Sequence, residues 1–282
     1  MKENMFTSPK TALIMLTMAA AAIGQVMKIH TTGGTTPNAF PLAQIDSITY
    51  DTGTPLVQPP GTMTLPAQVL KLDNWYLTLP IGTSGSPTEI KQPALATYKH
   101  DEYFKPNLDQ TGVVFKAHAG GVTTSGSAYP RSELREMASG GTVKAAWSTT
   151  SGTHTMFIKE AIIHLPDVKP HVVAGQIHDA SNDVMVIRLE GTKLFVDHNG
   201  VNGPVLTNDY KLGTIFTVKF VAEGGKVKVY YNDSATPSDD YAVPRDGCYF
   251  KAGCYTQSNT TKGDAPTAYG EVVIYDLSVT HN

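Results

Sequence analysis

The chain has 282 residues, with 25 Gly, 18 Pro, 2 Cys and a formal net charge of −3. That length holds one large all-β domain or two smaller ones, and the Gly and Pro together with abundant Thr, Val and Tyr favour strands joined by tight turns. The slightly acidic balance, with no basic run or stripe, speaks against a nucleic-acid partner and requires that any grip on a polyanion be local to a groove.

Residues 1–24 have the pattern of an export leader. Lys2 and Lys10 make a positive start, Thr11 to Gly24 is an uncharged and largely apolar run, and Ala19 to Ala22 with Gly24 offer a cleavage site. The run is short for a membrane span and no Cys follows it to carry a lipid. The expectation is a secreted or periplasmic protein with no membrane contact after leader removal. Residues 25–66 form a short extension and linker. Met27 to Gly34 and Phe40 to Tyr50 suggest two short strands around a Gly-rich turn, too little to bury a core, and Asp51 to Pro66 is rich in Pro, Gly and Thr.

Residues 67–282 carry the main domain. Pro66–Leu72 allows a short helix, and the rest is strands and turns. The expected strands are Trp75–Leu79, Gly112–Ala117, Ser132–Met137, His154–His164, Val172–His178, Asp183–Leu189, Lys193–Asp197, Ile215–Ala222, Lys226–Tyr231, Tyr249–Gln257 and Gly270–Val279. Many short strands with Gly, Asn and Asp turns imply an all-β two-sheet sandwich or barrel. Cys248 and Cys254 fall on one expected strand, roughly 20 Å apart. That is beyond disulfide reach, so both are expected as buried thiols. His164, His171 and His178 are evenly spaced, but Pro170 separates them into two strands, and no metal site or cofactor is expected from them.

A strand's period of two sorts three segments into chemically different faces. In Tyr249–Gln257, the residues Tyr249, Lys251, Gly253, Tyr255 and Gln257 share one face, while Cys248, Phe250, Ala252, Cys254 and Thr256 share the other. The second set is core material. Arg131, Glu133 and Arg135 share a face in the same way, as do Gln176 and His178 with Ile177 opposite. Cations, amides, a His and a Tyr displayed on one sheet face suggest a groove for a chain of carboxylates. Taken singly, each segment has an ordinary structural explanation: an ion-pair ladder for Arg-x-Glu-x-Arg, a satisfied or exposed histidine at His178.

Together and in this order, Arg131-Ser-Glu-Leu-Arg135, Gln176-Ile-His178 and Tyr249-Phe-Lys-Ala-Gly-Cys-Tyr-Thr-Gln257 resemble the three signature blocks of the alginate lyases of polysaccharide lyase family 7. Asn74-Trp-Tyr-Leu-Thr-Leu-Pro80 extends the likeness, which runs from about Ala67 to the C-terminus. The resemblance implies a β-jelly roll whose concave sheet forms the substrate cleft, alginate as partner, a monomer, and endolytic β-elimination without a metal. It assigns Arg131 and Gln176 to the substrate carboxylate, a role both side chains suit as hydrogen-bond donors. His178, with an ordinary pKa of about 6.5, suits proton abstraction at C5. Tyr255 suits protonation of the leaving oxygen, and beside Arg and Lys its phenolate could also act as base. Glu133 is expected to orient the arginines. Arg135, Tyr249, Lys251 and Gln257 are expected to contact flanking sugars.

A glycoside hydrolase would need two carboxylates across the scissile bond, and no expected cleft strand carries such a pair. A non-catalytic acidic-glycan module would keep Arg and Lys but has no use for a His and a Tyr on the same face. A lyase for another polyuronan, such as a glucuronan, is disfavoured by the resemblance alone. Glu160 could reach the cleft or pair with a surface cation. The loop Ala119–Ala128, rich in Gly, Ser and Thr, is expected to border the cleft and close over substrate. In the resembling family, Ile at the centre of Gln-x-His accompanies guluronate acceptance and Val mannuronate preference. With Ile177 here, guluronate-containing blocks are the expected substrate.

Overall fold

The computed structural model describes residues 64–282, so the expected leader, extension and most of the linker lie outside the described residues. Pro66 opens the short helix α1 (Pro66–Val69), its fixed φ suiting the first helical turn. Sixteen strands follow: β1 (Trp75–Thr83), β2 (Ser86–Ile90), β3 (Phe104–Pro106), β4 (Val113–His118), β5 (Arg131–Ala138), β6 (Val143–Lys144), β7 (Thr153–His164), β8 (His171–His178), β9 (Asp183–Glu190), β10 (Lys193–His198), β11 (Val201–Thr207), β12 (Phe216–Glu223), β13 (Lys226–Tyr231), β14 (Asp239–Ala242), β15 (Tyr249–Thr256) and β16 (Tyr269–His281). All eleven strands expected from the sequence are among them. The other five are β2, β3, β6, β11 and β14.

They make a β-jelly roll of two antiparallel sheets. One runs β11-β10-β9-β8-β15-β5-β1-β2 with β6 attached to β5, and the other runs β14-β13-β12-β7-β16-β4-β3. β12 shows how the second sheet is built. Phe216, Val218, Phe220 and Ala222 turn into the sandwich and are buried, while Thr217, Lys219, Val221 and Glu223 turn outward. Across from them Ile177, Leu134, Phe250, Ala252 and Cys254 supply the inner face of the first sheet. Each fully buried Phe or Leu in this layer contributes about 1.5–3 kcal/mol relative to exposure. Cys248 and Cys254 are both free and buried, with burial pushing each thiol up to about 12.

β5, β8 and β15 lack this alternation and are largely buried on both faces. Their outer faces therefore lie under something other than bulk water. Register brings the three signature segments side by side: Lys251 opposes both Arg135 and Gln176, Tyr249 opposes His178, and Tyr255 opposes Arg131. The pairing of β15 with β8 slips between Ala252 and Tyr255. Gly253 sits at this irregularity with φ of 141°, and a Cβ there would lie 2.6 Å from the Ser132 carbonyl oxygen. Only glycine fits so close an approach of β15 to β5 at that backbone angle.

Candidate active site

The outer face of the first sheet holds a polar cleft of about 290 Å³ that crosses β2, β1, β5, β15, β8 and β9. Arg131, Arg135, Gln176, His178, Tyr249, Lys251 and Tyr255 all line it. Seven of the nine candidate residues thus line one cleft. The other two stand differently. Glu133 lies beneath the floor at 1 % exposure, and Gln257 turns aside, its Oε1 accepting a hydrogen bond from Arg188 Nη2 at 3.2 Å.

Glu133 is the hub of the floor. One of its oxygens receives Arg131 Nη1 at 3.1 Å and Lys251 Nζ at 2.5 Å, and the other accepts the amide of Gln176. Burial alone would raise the Glu133 carboxyl, but the Lys251 ammonium and the Arg131 guanidinium outweigh it and hold the group below the usual carboxylate range. Burial, reinforced by Arg131, drives the Lys251 ammonium down to about 8 against the pull of Glu133. Three donor groups are thus fixed around one carboxylate and still have unspent hydrogens: Arg131 Nε is buried with no partner, and the Gln176 amide has a second N–H. Arg131, Arg135 and Lys251 against Glu133 leave the floor net positive, with Glu89 and Asp183 on the rim.

His178 ends β8, and the turn behind it fixes its proton. Asp179 Oδ1 accepts the backbone N–H groups of Ser181 and Asn182 at 2.7 and 2.8 Å, closing the hairpin into β9. The Asp179 carbonyl then lies 2.6 Å from His178 Nδ1. A carbonyl only accepts, so Nδ1 carries hydrogen and Nε2 keeps a lone pair. Burial lowers the His178 pKa, with Lys251 adding to the effect and the Asp179 carbonyl opposing it, which favours this neutral form. The Tyr249 ring stacks on the imidazole with centroids 5.3 Å apart, its hydroxyl is 3.1 Å from Nδ1, and the Arg135 guanidinium lies 3.8 Å over the Tyr249 ring.

Tyr255 stands at the other end of the floor. The Arg131 guanidinium lies 3.8 Å from its ring centroid, and its hydroxyl is 2.8 Å from Ser127 Oγ. Ser127, Thr124 and Gly126 bring the loop Ala119–Ala128 to the cleft wall, as the sequence suggested. Two of its glycines serve contact instead of motion: a Cβ on Gly120 would lie 2.8 Å from Pro266 Cβ, and one on Gly121 2.8 Å from Pro80 Cβ. Backbone bonds from Ala119 to Ala268, Gly120 to Pro266 and Val122 to Pro80 tie this end down.

The cleft also contains two β1 residues outside the three signature segments. Tyr76 and Thr78 oppose Arg135 and Glu133 on β1, and their signal was present in Asn74-Trp-Tyr-Leu-Thr-Leu-Pro80, where they alternate with Trp75, Leu77 and Leu79 of the core. Burial pushes the Tyr76 phenol up to about 12. Glu160 does neither of the things considered for it. It is on β7 in the other sheet, fully buried, with no hydrogen-bond partner for either oxygen. His164 is also on β7, stacked on Tyr269 at 4.0 Å and in the other sheet from His178. Among the described residues no cluster of three or more His, Cys, Asp or Glu has the geometry to hold a metal ion.

A jelly roll whose outer sheet face holds carboxylate donors, a neutral His and a phenol is the frame of a polysaccharide lyase acting on uronic acids. The family model for alginate lyases matches residues 70–281, and the chain belongs to the alginate lyases of polysaccharide lyase family 7. It is similar to a solved alginate lyase of that family, 58 % identical with a TM-score of 0.75 over 78 % of this chain and 99 % of the other. A solved alginate lyase from Corynebacterium sp. is 53 % identical, with a TM-score of 0.74 over 77 % of this chain and 98 % of that one. An alginate lyase from Klebsiella pneumoniae is 28 % identical over 77 % of this chain and 91 % of its own length.

Proposed function

We propose that the enzyme cleaves alginate inside the chain, at guluronate-containing blocks and without a metal, with His178 as base and Tyr255 as acid. The observation that carries this reading is the placement of two groups at the two ends of the floor: His178, whose Nδ1 is taken up by the Asp179 carbonyl so that Nε2 is left for a proton, and the Tyr255 hydroxyl held against Ser127 Oγ. His178 Nε2 takes the C5 proton, the C5–H electron pair becomes the C4–C5 double bond, the C4–O bond breaks, and Tyr255 protonates the leaving oxygen. Charge that builds on the C6 carboxylate during this step meets Arg131, the second N–H of Gln176 and Lys251. These donors fill the place a Lewis acid would otherwise occupy, and Glu133 has already aligned them.

In guluronate the C5 proton and the leaving oxygen are on opposite sides of the ring, which calls for a separate base and acid. His178 opposes Tyr249, six residues before Tyr255 on β15, so the two groups approach a sugar on the floor from different ends. Ile177 faces the core at 0 % exposure, so any influence on block choice passes through the placement of Gln176 and His178. A cleft crossing six strands favours binding in the middle of a chain. The uncharged run Thr11–Gly24 after Lys2 and Lys10 supports export to the periplasm or beyond.

The test is the initial rate of new ultraviolet absorbance, from the conjugated unsaturated product, on purified block polymers before and after chelator treatment. The expected order places polyguluronate and mixed blocks above polymannuronate, with chelated enzyme unchanged and long oligomers forming first. A clear excess on polymannuronate overturns the block assignment, and activity that returns only with added metal overturns the metal-free step.

A further inference from the structure

Ser127 Oγ has three neighbours. Tyr255 Oη is 2.8 Å away, the Tyr129 backbone N–H donates to it at 3.1 Å, and the Tyr129 carbonyl oxygen lies 3.2 Å away. A hydroxyl has one hydrogen and two lone pairs. While Tyr255 is a phenol, the three neighbours use that capacity fully: Tyr255 and Tyr129 N–H donate into the lone pairs, and the Ser127 hydrogen points to the Tyr129 carbonyl. Once Tyr255 has given its proton away, its oxygen has nothing to donate and one more lone pair to satisfy. The Ser127 hydrogen can then rotate from the carbonyl to the phenolate, with no heavy atom moving, and make a charge-assisted bond.

The serine is held in place for this. Its backbone N–H closes a turn on the Thr124 carbonyl at 3.0 Å, Thr124 bridges to Gly85, and Asn259 Nδ2 donates to the neighbouring Ala128 carbonyl at 2.8 Å. The Tyr129 ring meets Tyr255 edge-on with centroids 6.4 Å apart, so the phenol is confined on that side as well. The arrangement places a two-way hydroxyl against a cleft phenol that also has the Arg131 guanidinium over its ring.

We propose that Ser127 is a positioning residue for the elimination, fixing the Tyr255 oxygen by accepting its hydrogen bond in the resting enzyme and donating to that oxygen once the Tyr255 proton has turned to the leaving oxygen. The proposal rests on Tyr255 being the acid. Its protons balance: the C5 proton goes to His178, the Tyr255 proton goes to the leaving oxygen, and the Ser127 proton stays on serine throughout. Release of the His178 proton to solvent, as solvent reprotonates the phenolate, restores both groups for the next turnover.

The experiment compares Ser127→Thr with Ser127→Val in the full chain, alongside Tyr255→Phe. Thr and Val have nearly the same shape and differ by the hydroxyl, so packing is held constant. The expected result is near-normal kcat in Ser127→Thr and a kcat lower by about 10- to 100-fold in Ser127→Val, the size of one hydrogen bond to a charged group, with KM unchanged in both. Equal kcat in the two variants, or a change confined to KM, overturns the proposal. If both variants misfold, Ser127→Ala with its melting temperature measured takes their place: a stable protein with full kcat overturns the proposal and a stable protein with reduced kcat supports it. High turnover in Tyr255→Phe is a different failure, because it removes the acid on which the inference rests, whatever Ser127 does.

Discussion

Lys251 Nζ lies 2.5 Å from Glu133 Oε2, and both side chains are buried under the cleft floor. Removing one partner of such a pair leaves the other charge stranded, which costs about 3–5 kcal/mol. Here the same carboxylate also anchors Arg131 and Gln176, so one change disarms three donors.

Glu133→Gln keeps the shape and removes the charge. Its melting temperature should fall by about 6–20 °C, from about 2–4 °C per kcal/mol for a domain of this size. Bound alginate should restore part of the loss, because substrate carboxylates can pair with the stranded cations. The pH sign follows from the lowered carboxyl: its stabilisation is present above the ordinary range of about 4.3 and disappears as pH falls through the lower folded value. Unchanged thermal unfolding, with or without alginate, would show that Glu133 is not the anchor.

The pH profile of kcat/KM should have limbs of two different origins. His178 acts while neutral, and burial lowers its pKa, so the acid limb should lie below the ordinary imidazole value of about 6.5. Lys251 binds while protonated, and burial brings it down to about 8, so binding should weaken as pH rises past that point. A bound uronate returns the proton to Lys251, so the alkaline fall should appear in kcat/KM and in KM but not in kcat. Lys251→Arg, which stays charged, should flatten that limb while the acid limb remains. An alkaline limb that persists unchanged in Lys251→Arg would assign it to another group.

His178→Ala and Tyr255→Phe should each lower kcat by about 10²–10⁴-fold in a protein that melts normally, the usual size of a lost general base or acid. Arg131→Lys should be comparably damaging. A point-like ammonium cannot meet a carboxylate on two parallel N–H groups, nor cover the Tyr255 ring as the guanidinium does at 3.8 Å. Arg135→Ala should instead raise KM more than it lowers kcat, since Arg135 rests on Tyr249 and bonds the Glu136 carbonyl instead of the Glu133 hub. Steady-state rates with near-ultraviolet detection separate these cases, and a Tyr255→Phe enzyme of normal kcat removes that residue from the chemistry.

The parts of this structure that were legible in the sequence are those where burial imposes a period. Lys251 with Tyr255, Arg131 with Arg135, and Gln176 with His178 could be assigned to one face because Phe250, Leu134 and Ile177 had to be on the other. The strands that escaped notice are the borders. β2 and β11 edge one sheet, β3 and β14 edge the other, and β6 hangs from β5. Edge strands are short and half-solvated, and they tolerate the prolines of Ser86–Ile90, Phe104–Pro106 and Val201–Thr207 that argue against a strand in the middle of a sheet. Ser127 left no signal because its role depends on a contact with Tyr255, 128 residues away in sequence. Gln257 follows the end of β15, bonded to Arg188 and outside the cleft lining, because alternation gives the face of a strand but not the reach of a cleft along it.

Glu160 tests the same limit from the core side. It opposes Phe216 and Ile274 on β7 between Ile158 and Ile162, with neither carboxyl oxygen partnered, and burial raises it to about 8. A raised acid binds its proton in the folded state where the unfolded chain has already released it. Stability should therefore decline as pH climbs from about 4.3 to about 8 and level off on either side, with a total on the order of 3–5 kcal/mol at about 1.36 kcal/mol per pKa unit. Glu160→Gln cannot ionise, so its melting temperature should lose this slope. The wild-type and variant curves should converge near pH 4 and separate toward pH 8, with the variant the more stable there. Differential scanning calorimetry across that range decides the matter, and parallel curves would mean that Glu160 is not protonated in the folded protein.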